Sequence, residues 1–252
     1  MKAVLSFLFI IFSIVVNAQT HFETRLSIQM NGIYSVPVGA YRYNSSNNSY
    51  LGQTKNSFGA GVAIRKPVYK NFGLGFNINT VQTKLDKEMI NKNLKKNYNS
   101  GNNYFMTTSF KTSYTLFNIG VEFFKNFQLT KTLIICPFIR INLAGTSDIG
   151  AINVTLKQRN DNYFETYKII QTQNENELTL FFYPSIGSNF TWALNHYWGI
   201  NAGAMYSFGN KKLNTTIVRN NLYSQEEETQ EISHQFFSSV QPFLGLQFYF
   251  NR

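Results

Sequence analysis

The chain has 252 residues, of which 43% are hydrophobic, 16% aromatic and only 14% charged, with 24 Phe and 15 Tyr. Soluble domains usually carry about 25% charged residues, so this composition excludes a disordered chain and a charge-rich helical protein. A single Cys excludes a disulfide scaffold and a Cys-based zinc site, and the net charge of +10 raises the question of a nucleic-acid partner.

The first element is an address. Lys2 supplies a positive start, and Val4 to Val16 is apolar except for Ser6 and Ser13. Val16-Asn17-Ala18 then offers small residues before Gln19. This is the pattern of a secretory signal peptide over residues 1–18, cleaved between Ala18 and Gln19. The run is shorter than the ~20 residues a membrane helix needs; an uncleaved anchor is the alternative. Residues 19–252 form the mature domain, and no later segment holds 18 apolar residues in succession. If this domain enters a membrane, it enters as strands.

The mature chain alternates with period two, the signature of strands whose successive side chains point to opposite faces. Eight segments carry the pattern. Leu26, Ile28, Met30 and Tyr34 oppose Arg25, Gln29 and Asn31. Phe58, Ala60, Val62 and Ile64 oppose Ser57, Gly59, Gly61 and Arg65. Phe72, Leu74, Phe76 and Ile78 oppose Gly73, Gly75, Asn77 and Asn79. Thr115, Phe117, Ile119, Val121 and Phe123 oppose Asn118, Gly120 and Glu122. Leu133, Ile135, Ile139, Ile141 and Leu143 oppose Cys136, Arg140 and Asn142. Leu180, Phe182, Pro184, Ile186, Phe190 and Trp192 oppose Ser185, Gly187 and Asn189. Trp198, Ile200, Ala202, Ala204, Tyr206 and Phe208 oppose Gly199, Asn201, Gly203 and Met205. Val240, Pro242, Leu244, Leu246, Phe248 and Phe250 oppose Ser239, Gln241, Gly245 and Gln247.

The connections alternate in length. Tyr69-Lys70-Asn71, Asn126 to Lys131 and Asn195-His196-Tyr197 are short; Pro37 to Asn56, Lys84 to Lys111, Gly145 to Glu177 and Gly209 to Phe236 are long and polar. Short turns at one end and long loops at the other fit an up-and-down antiparallel barrel in an outer membrane, with both termini in the periplasm. The third long connection reads as a hairpin above the membrane; a further transmembrane pair, giving ten strands, is the alternative. The second, with Lys84, Lys87, Lys92, Lys95, Lys96 and Lys111, reads as a solvated basic loop. It lacks a helix-turn-helix, zinc-finger or RNP pattern, so no nucleic-acid partner is expected.

Orientation follows from the polar faces. A soluble barrel would wet them with Lys and Glu, yet they hold Gly, Ser, Asn, Gln and Thr, which suit a lumen that eight strands leave barely wide enough for packed side chains. The charges Arg25, Arg65, Glu122 and Arg140 all have lumen parity. A lone buried carboxylate needs cationic partners, so Glu122 is expected to pair with Arg65, assisted by Arg25 or Arg140. Counting from the periplasmic ends puts Arg25, Arg65 and Glu122 at one depth and Arg140 higher. Phe72, Phe123, Trp192, Trp198, Phe248 and Phe250 form the lipid-interface belt near the short turns, and Tyr34, Phe58, Phe182, Tyr206 and Phe208 form the opposite one. Pro137, Pro184 and Pro242 remove ladder donors inside strands, so bulges or local widening are expected there.

On the signal peptide, the two-faced strands and the aromatic ending Phe248-Tyr249-Phe250, the chain resembles the small bacterial outer-membrane β-barrels of the OmpA/OmpX kind, a loosely defined group often labelled porin-like. The resemblance is architectural and spans the mature chain. It implies insertion by the barrel-assembly machinery, for which a terminal aromatic is the usual signal, although Asn251 and Arg252 follow it here. The barrel is expected to be a monomer in outer-membrane lipid, and the opposite charges of the basic second loop and of Glu226, Glu227, Glu228 and Glu231 in the fourth are expected to tie the rim together or to meet lipopolysaccharide phosphates.

Little chemistry is legible. His21, His196 and His234 fall on different ends, so no catalytic or metal centre collects them. His234 with Ser238 and Ser239 is the nearest imitation of a hydrolase site, but a His-x-Ser spacing is missing because position 236 is Phe. No cofactor is expected. The expected role is structural, adhesion-type or porin-like with a side-chain-filled lumen; an accessory barrel of an envelope secretion or assembly system and a rim-located lipid-modifying enzyme are the alternatives.

Overall fold

A computed structural model describes residues 25–39, 54–98, 104–109, 113–147, 152–158, 164–170, 179–209, 211–221, 227–236 and 238–250. The signal segment and its cleavage site at Ala18 and Gln19 lie outside the described residues.

In chain order the elements are β1 (Leu26–Pro37), β2 (Thr54–Tyr69), β3 (Phe72–Leu85), α1 (Lys87–Tyr98), β4 (Tyr104–Ser109), β5 (Ser113–Lys125), β6 (Phe127–Gln128) and β7 (Leu133–Ser147). These are followed by β8 (Ile152–Gln158), β9 (Phe164–Ile170), β10 (Thr179–Ala193), β11 (Trp198–Ser207), β12 (Lys211–Asn221), β13 (Glu227–Phe236) and β14 (Ser239–Phe250). Eight of them close into an antiparallel barrel in the order β10-β11-β14-β1-β2-β3-β5-β7, with β7 pairing back onto β10. The barrel strands run from 10 to 16 residues, long enough for a tilted membrane crossing of ~9–11 residues.

Burial is inverted relative to a soluble barrel. Along β3 every apolar residue from Phe72 to Ile78 is exposed, whereas Asn77 and Asn79 on the opposite face are buried. The same parity holds for the apolar faces of the other seven barrel strands, which turn outward throughout. The inner face is closed by amides, hydroxyls and a few large rings. Phe138, Phe181, Tyr183 and Phe243 are all buried there, and glycines make room for them. A Cβ on Gly187 would lie 2.6 Å from Phe138 Cζ and 2.6 Å from the Ala204 carbonyl oxygen; one on Gly203 would lie 2.6 Å from Phe243 Cζ. Because one obstacle at Gly187 is backbone, Gly187→Ala is expected to destabilise the barrel by about 1–3 kcal/mol, read as a lower urea midpoint of the detergent-folded protein.

The turn between β2 and β3 is two residues, Lys70 and Asn71, both at positive φ (43° and 68°). That is the primed geometry whose twist matches a hairpin. At another short end Asn195 Oδ1 accepts the Tyr197 and Trp198 amides at 2.8 and 2.9 Å.

The prolines do not sit in bulges. Pro137 pairs with Ser188 of β10 but faces the interval where β5 hands over to β6. Pro184 pairs with Ile141, one step beyond the last β11 partner. Pro242 pairs with Ala204 and falls where β1 pairing skips from Ile33–Phe243 to Val36–Val240. The skipped residues are equal in number on both strands, so register is kept. The missing N–H of Pro137 and of Pro242 thus falls where one neighbouring strand breaks its pairing, and that of Pro184 falls just past the end of β11, where its carbonyl still accepts the Phe208 amide at 2.9 Å.

Among the described residues, the second, third and fourth long connections carry regular structure. β4, β8, β9, β12 and β13 form a second sheet in the order β13-β12-β9-β8-β4. Each is next in chain to one barrel strand, and the order copies β14-β11-β10-β7-β5. The sheet is therefore a raised continuation of five barrel strands at the long-loop end. The third connection supplies its β8–β9 hairpin, which leaves the barrel at eight strands. The fourth, a polar loop by its sequence, supplies β12–β13. A strand beyond the lipid needs no apolar face, so its alternation is hidden among Asn and Glu.

The basic second connection is not all loop, because it holds α1. Asp86 caps the helix: its Oδ1 accepts the Met89 amide at 3.2 Å and its carbonyl accepts the Ile90 amide at 2.9 Å. Glu88 in the first turn and Lys95 and Lys96 in the last complement the helix dipole. Ile90 is fully buried, and Thr108 of β4 donates to Asn91 at 2.7 Å, anchoring the helix on the wall.

Candidate functional site in the lumen

Register builds the charge site. Arg65 on β2 is opposite Gly75 on β3, Gly75 is opposite Glu122 on β5, and Glu122 is opposite Arg140 on β7. Four strands therefore bring one row together. A Cβ on Gly75 would stand 3.2 Å from Arg65 Cγ and 3.4 Å from Glu122 Cβ, so glycine lets the two flanking side chains meet over it. Glu122 Oε1 lies 2.6 Å from Arg65 Nε, an ion pair in which the N–H is not aligned for a straight hydrogen bond. Glu122 Oε2 accepts from Arg140 Nη2 at 2.7 Å and from Arg140 Nε at 3.2 Å. The three side chains are buried. Phe138 lies against both guanidinium groups, 5.3 Å from that of Arg65 and 5.0 Å from that of Arg140. Arg140 Nη1 ends on the Met205 sulfur at 3.4 Å.

Two sequence expectations are corrected here. Arg140 is not at a higher level; it is the direct cross-strand partner of Glu122. Counting from the strand end fails because β7 begins only after the passage 126–132, which includes β6. Arg25 lies just before β1 rather than inside it. It is two residues nearer the short-turn end than Ser27, the partner of Arg65, and its Nη1 donates to the His196 carbonyl at 2.9 Å.

Above the charged row an amide ladder fills the bore. Asn118 donates to Asn79 at 2.8 Å and accepts from the Tyr183 hydroxyl at 2.7 Å. Asn142 donates to Ser185 at 2.9 Å, and Ser185 and Ser207 share a 3.0 Å contact. Asn77 donates to the Gly120 carbonyl at 2.9 Å. These contacts satisfy side chains that would be costly to bury unpaired.

On the outer surface Phe72, Phe123, Trp192, Trp198 and Phe250 are exposed and Phe248 is half-buried. Trp198 and Phe248 stack at 4.3 Å between centroids, and Lys125 Nζ stands 4.5 Å above Phe72. A cation on an aromatic belt suits a headgroup region. At the other end Tyr34 and Phe58 pair at 5.0 Å, and Tyr206 meets Phe208 edge-on at 4.5 Å.

The hydrolase-like residues at the rim are engaged locally. Ser238 donates to the Gly209 carbonyl at 3.2 Å, and buried Ser239 accepts from Gln241 at 2.8 Å. His196 lies in a short turn, His234 lies in β13, and His21 lies outside the described residues. Among the described residues no group of three His, Cys, Asp or Glu side chains gathers as metal ligands do.

No family model and no curated relative matches the sequence. Solved structures do match. A major outer membrane protein of Thermus thermophilus is 9% identical, covering 89% of this chain and 99% of its own at a TM-score of 0.44. Neisserial surface protein A is 12% identical, covering 89% and 97% at 0.43. The outer membrane protease OmpT of Escherichia coli is 11% identical, covering 92% and 99% at 0.35. With an apolar face outward, amides and charges inward and eight strands closed on themselves, the chain has the fold of an eight-stranded, transmembrane-type antiparallel β-barrel.

Proposed function

We propose that this is a closed-lumen outer-membrane barrel with a structural or adhesion-type role and no catalytic activity, its termini in the periplasm and its raised sheet facing outward. The observation that carries the reading is the Arg65–Glu122–Arg140 row, three buried side chains in mutual contact beneath the amide ladder, an arrangement that supports a plugged rather than a water-filled bore. The five-strand wall supports the same reading, since it places long polar backbone edges beyond the membrane, where contacts with other surfaces are made. The start of β1 and the end of β14 lie at the short-turn end, consistent with a chain delivered from the periplasm. A planar-bilayer recording of the purified barrel tests the closed lumen. The expected trace has no sustained opening on the order of a nanosiemens, the scale of a water-filled barrel; a steady conductance of that size favours a porin-like role instead.

A further inference from the structure

Beneath the charged row the barrel opens toward the short turns into a funnel of about 380 Å³, within the range of small-molecule sites. Its mouth carries Arg25 and the exposed Lys131, and its floor is formed by Arg65, Asn189, Thr191 and Gln29. No Asp or Glu lines it.

Two independent features of the floor point to a ligand. The first is charge. Arg65 and Arg140 share one carboxylate, and Glu122 is the one acidic side chain among the described buried residues. The row therefore holds a surplus positive charge away from solvent, which is unfavourable unless an anion approaches. Arg65 is the member that faces the funnel. Apart from Glu122 and the rings of Phe124 and Phe138, its polar contact is the Cys136 sulfur at 3.9 Å. The second is Asn189. It is completely buried, and neither its Oδ1 nor its Nδ2 has a partner. Other lining groups are paired, Gln247 Oε1 accepting both Gln29 Nε2 at 2.8 Å and Thr191 Oγ1 at 3.0 Å, while on the adjoining strand Asn201, opposite Thr191, keeps an idle Oδ1 as well. A buried amide with both atoms idle beside paired neighbours marks a place where something else bonds.

We propose that this funnel is a binding site for a small hydroxylated anion, entering from the short-turn side. Its carboxylate or phosphate meets Arg65, whose guanidinium fork can bond two oxygens of either group, while Lys131 and Arg25 at the mouth draw the anion in. Asn189 supplies a donor and an acceptor, so a bare anion satisfies only half of it; a hydroxyl on the same molecule completes the other half. The site is separate from the outer wall and does not depend on what the wall contacts.

The test titrates isotope-labelled, micelle-folded full barrel with glucuronate, glucose 6-phosphate and neutral glucose, followed by amide chemical shifts. At least one acid is expected to move signals of Asn189, Thr191 and Lys131 at concentrations about tenfold lower than glucose does, a difference of one decade in Kd. Asn189→Asp is expected to weaken that acid about tenfold or more by placing a carboxylate on the floor. Should that variant not fold, Lys131→Glu at the exposed mouth is expected to weaken it by several-fold while Lys84→Gln, at the opposite end, leaves it unchanged. Which acid binds identifies a carboxylate or a phosphate source. The proposal is overturned if neither acid shifts these signals by about 10 mM, if glucose matches the acids, or if the folded floor or mouth variant binds as well as the native barrel.

Discussion

Glu122→Gln is expected to lower the stability of the folded barrel by about 3–5 kcal/mol, the usual range for breaking a buried ion pair from one side. The size follows from the row itself. Glu122 is 1% exposed and is in contact with two guanidinium groups, at 2.6 and 2.7 Å. The amide keeps the shape but leaves Arg65 and Arg140 as two unneutralised cations facing one another. Replacing all three with neutral side chains of similar volume removes that repulsion. The triple variant Arg65→Met, Glu122→Gln, Arg140→Met is therefore expected to recover much of the loss, because desolvation of the ions no longer has to be offset. Urea unfolding in detergent micelles, read by tryptophan fluorescence, measures both. A single variant that costs under about 1 kcal/mol is the behaviour of a solvated pair and contradicts a dry, plugged bore.

Much of this architecture is legible in the sequence because one physical rule, side-chain alternation, acts at every barrel position. Phe72 to Asn79 and Trp198 to Met205 state their two faces residue by residue, and the inward set of Gly, Asn, Ser and Gln says which face is enclosed. Depth is less legible. Arg140 meets Glu122 because of register, and register depends on how many residues the turn at 126–132 consumes, which alternation does not encode. The three prolines mislead for a related reason: a strand pattern does not reveal which neighbour a given N–H would face, so breaks in pairing at Pro137, Pro184 and Pro242 look like bulges in the sequence. The wall and α1 are hidden because neither touches lipid. Outside the membrane a strand carries no obligatory apolar face, and the helix signal of Asp86 as cap with Lys95 and Lys96 at the far end is diluted by Asn. The funnel at the short-turn end is invisible because its floor joins Arg65, Asn189 and Thr191 from strands far apart in the chain.

Orientation yields the second large effect. Ile78, in the middle of β3 and 41% exposed, points away from the bore with Phe76 and Leu74. If acyl chains surround it, Ile78→Arg places a guanidinium near the midplane and is expected to cost about 2–4 kcal/mol, while the same change nearer the long-loop end, Gln82→Arg, costs about 0–1 kcal/mol because the side chain reaches the headgroups. Both positions are outward and exposed on one strand, so packing differences are small and depth is the main variable. Water around the barrel reverses the expectation: an exposed Ile→Arg change on a soluble surface stays within about 0.5 kcal/mol, and the two variants become alike. Reversible urea unfolding of each variant from phospholipid vesicles gives the comparison directly. The gradient along β3 matters more than either value, since only a hydrocarbon slab centred on the strand makes an arginine at position 78 costlier than one at position 82. Equal costs at the two positions remove the membrane from the account and, with it, the reason for the inverted burial of all eight strands.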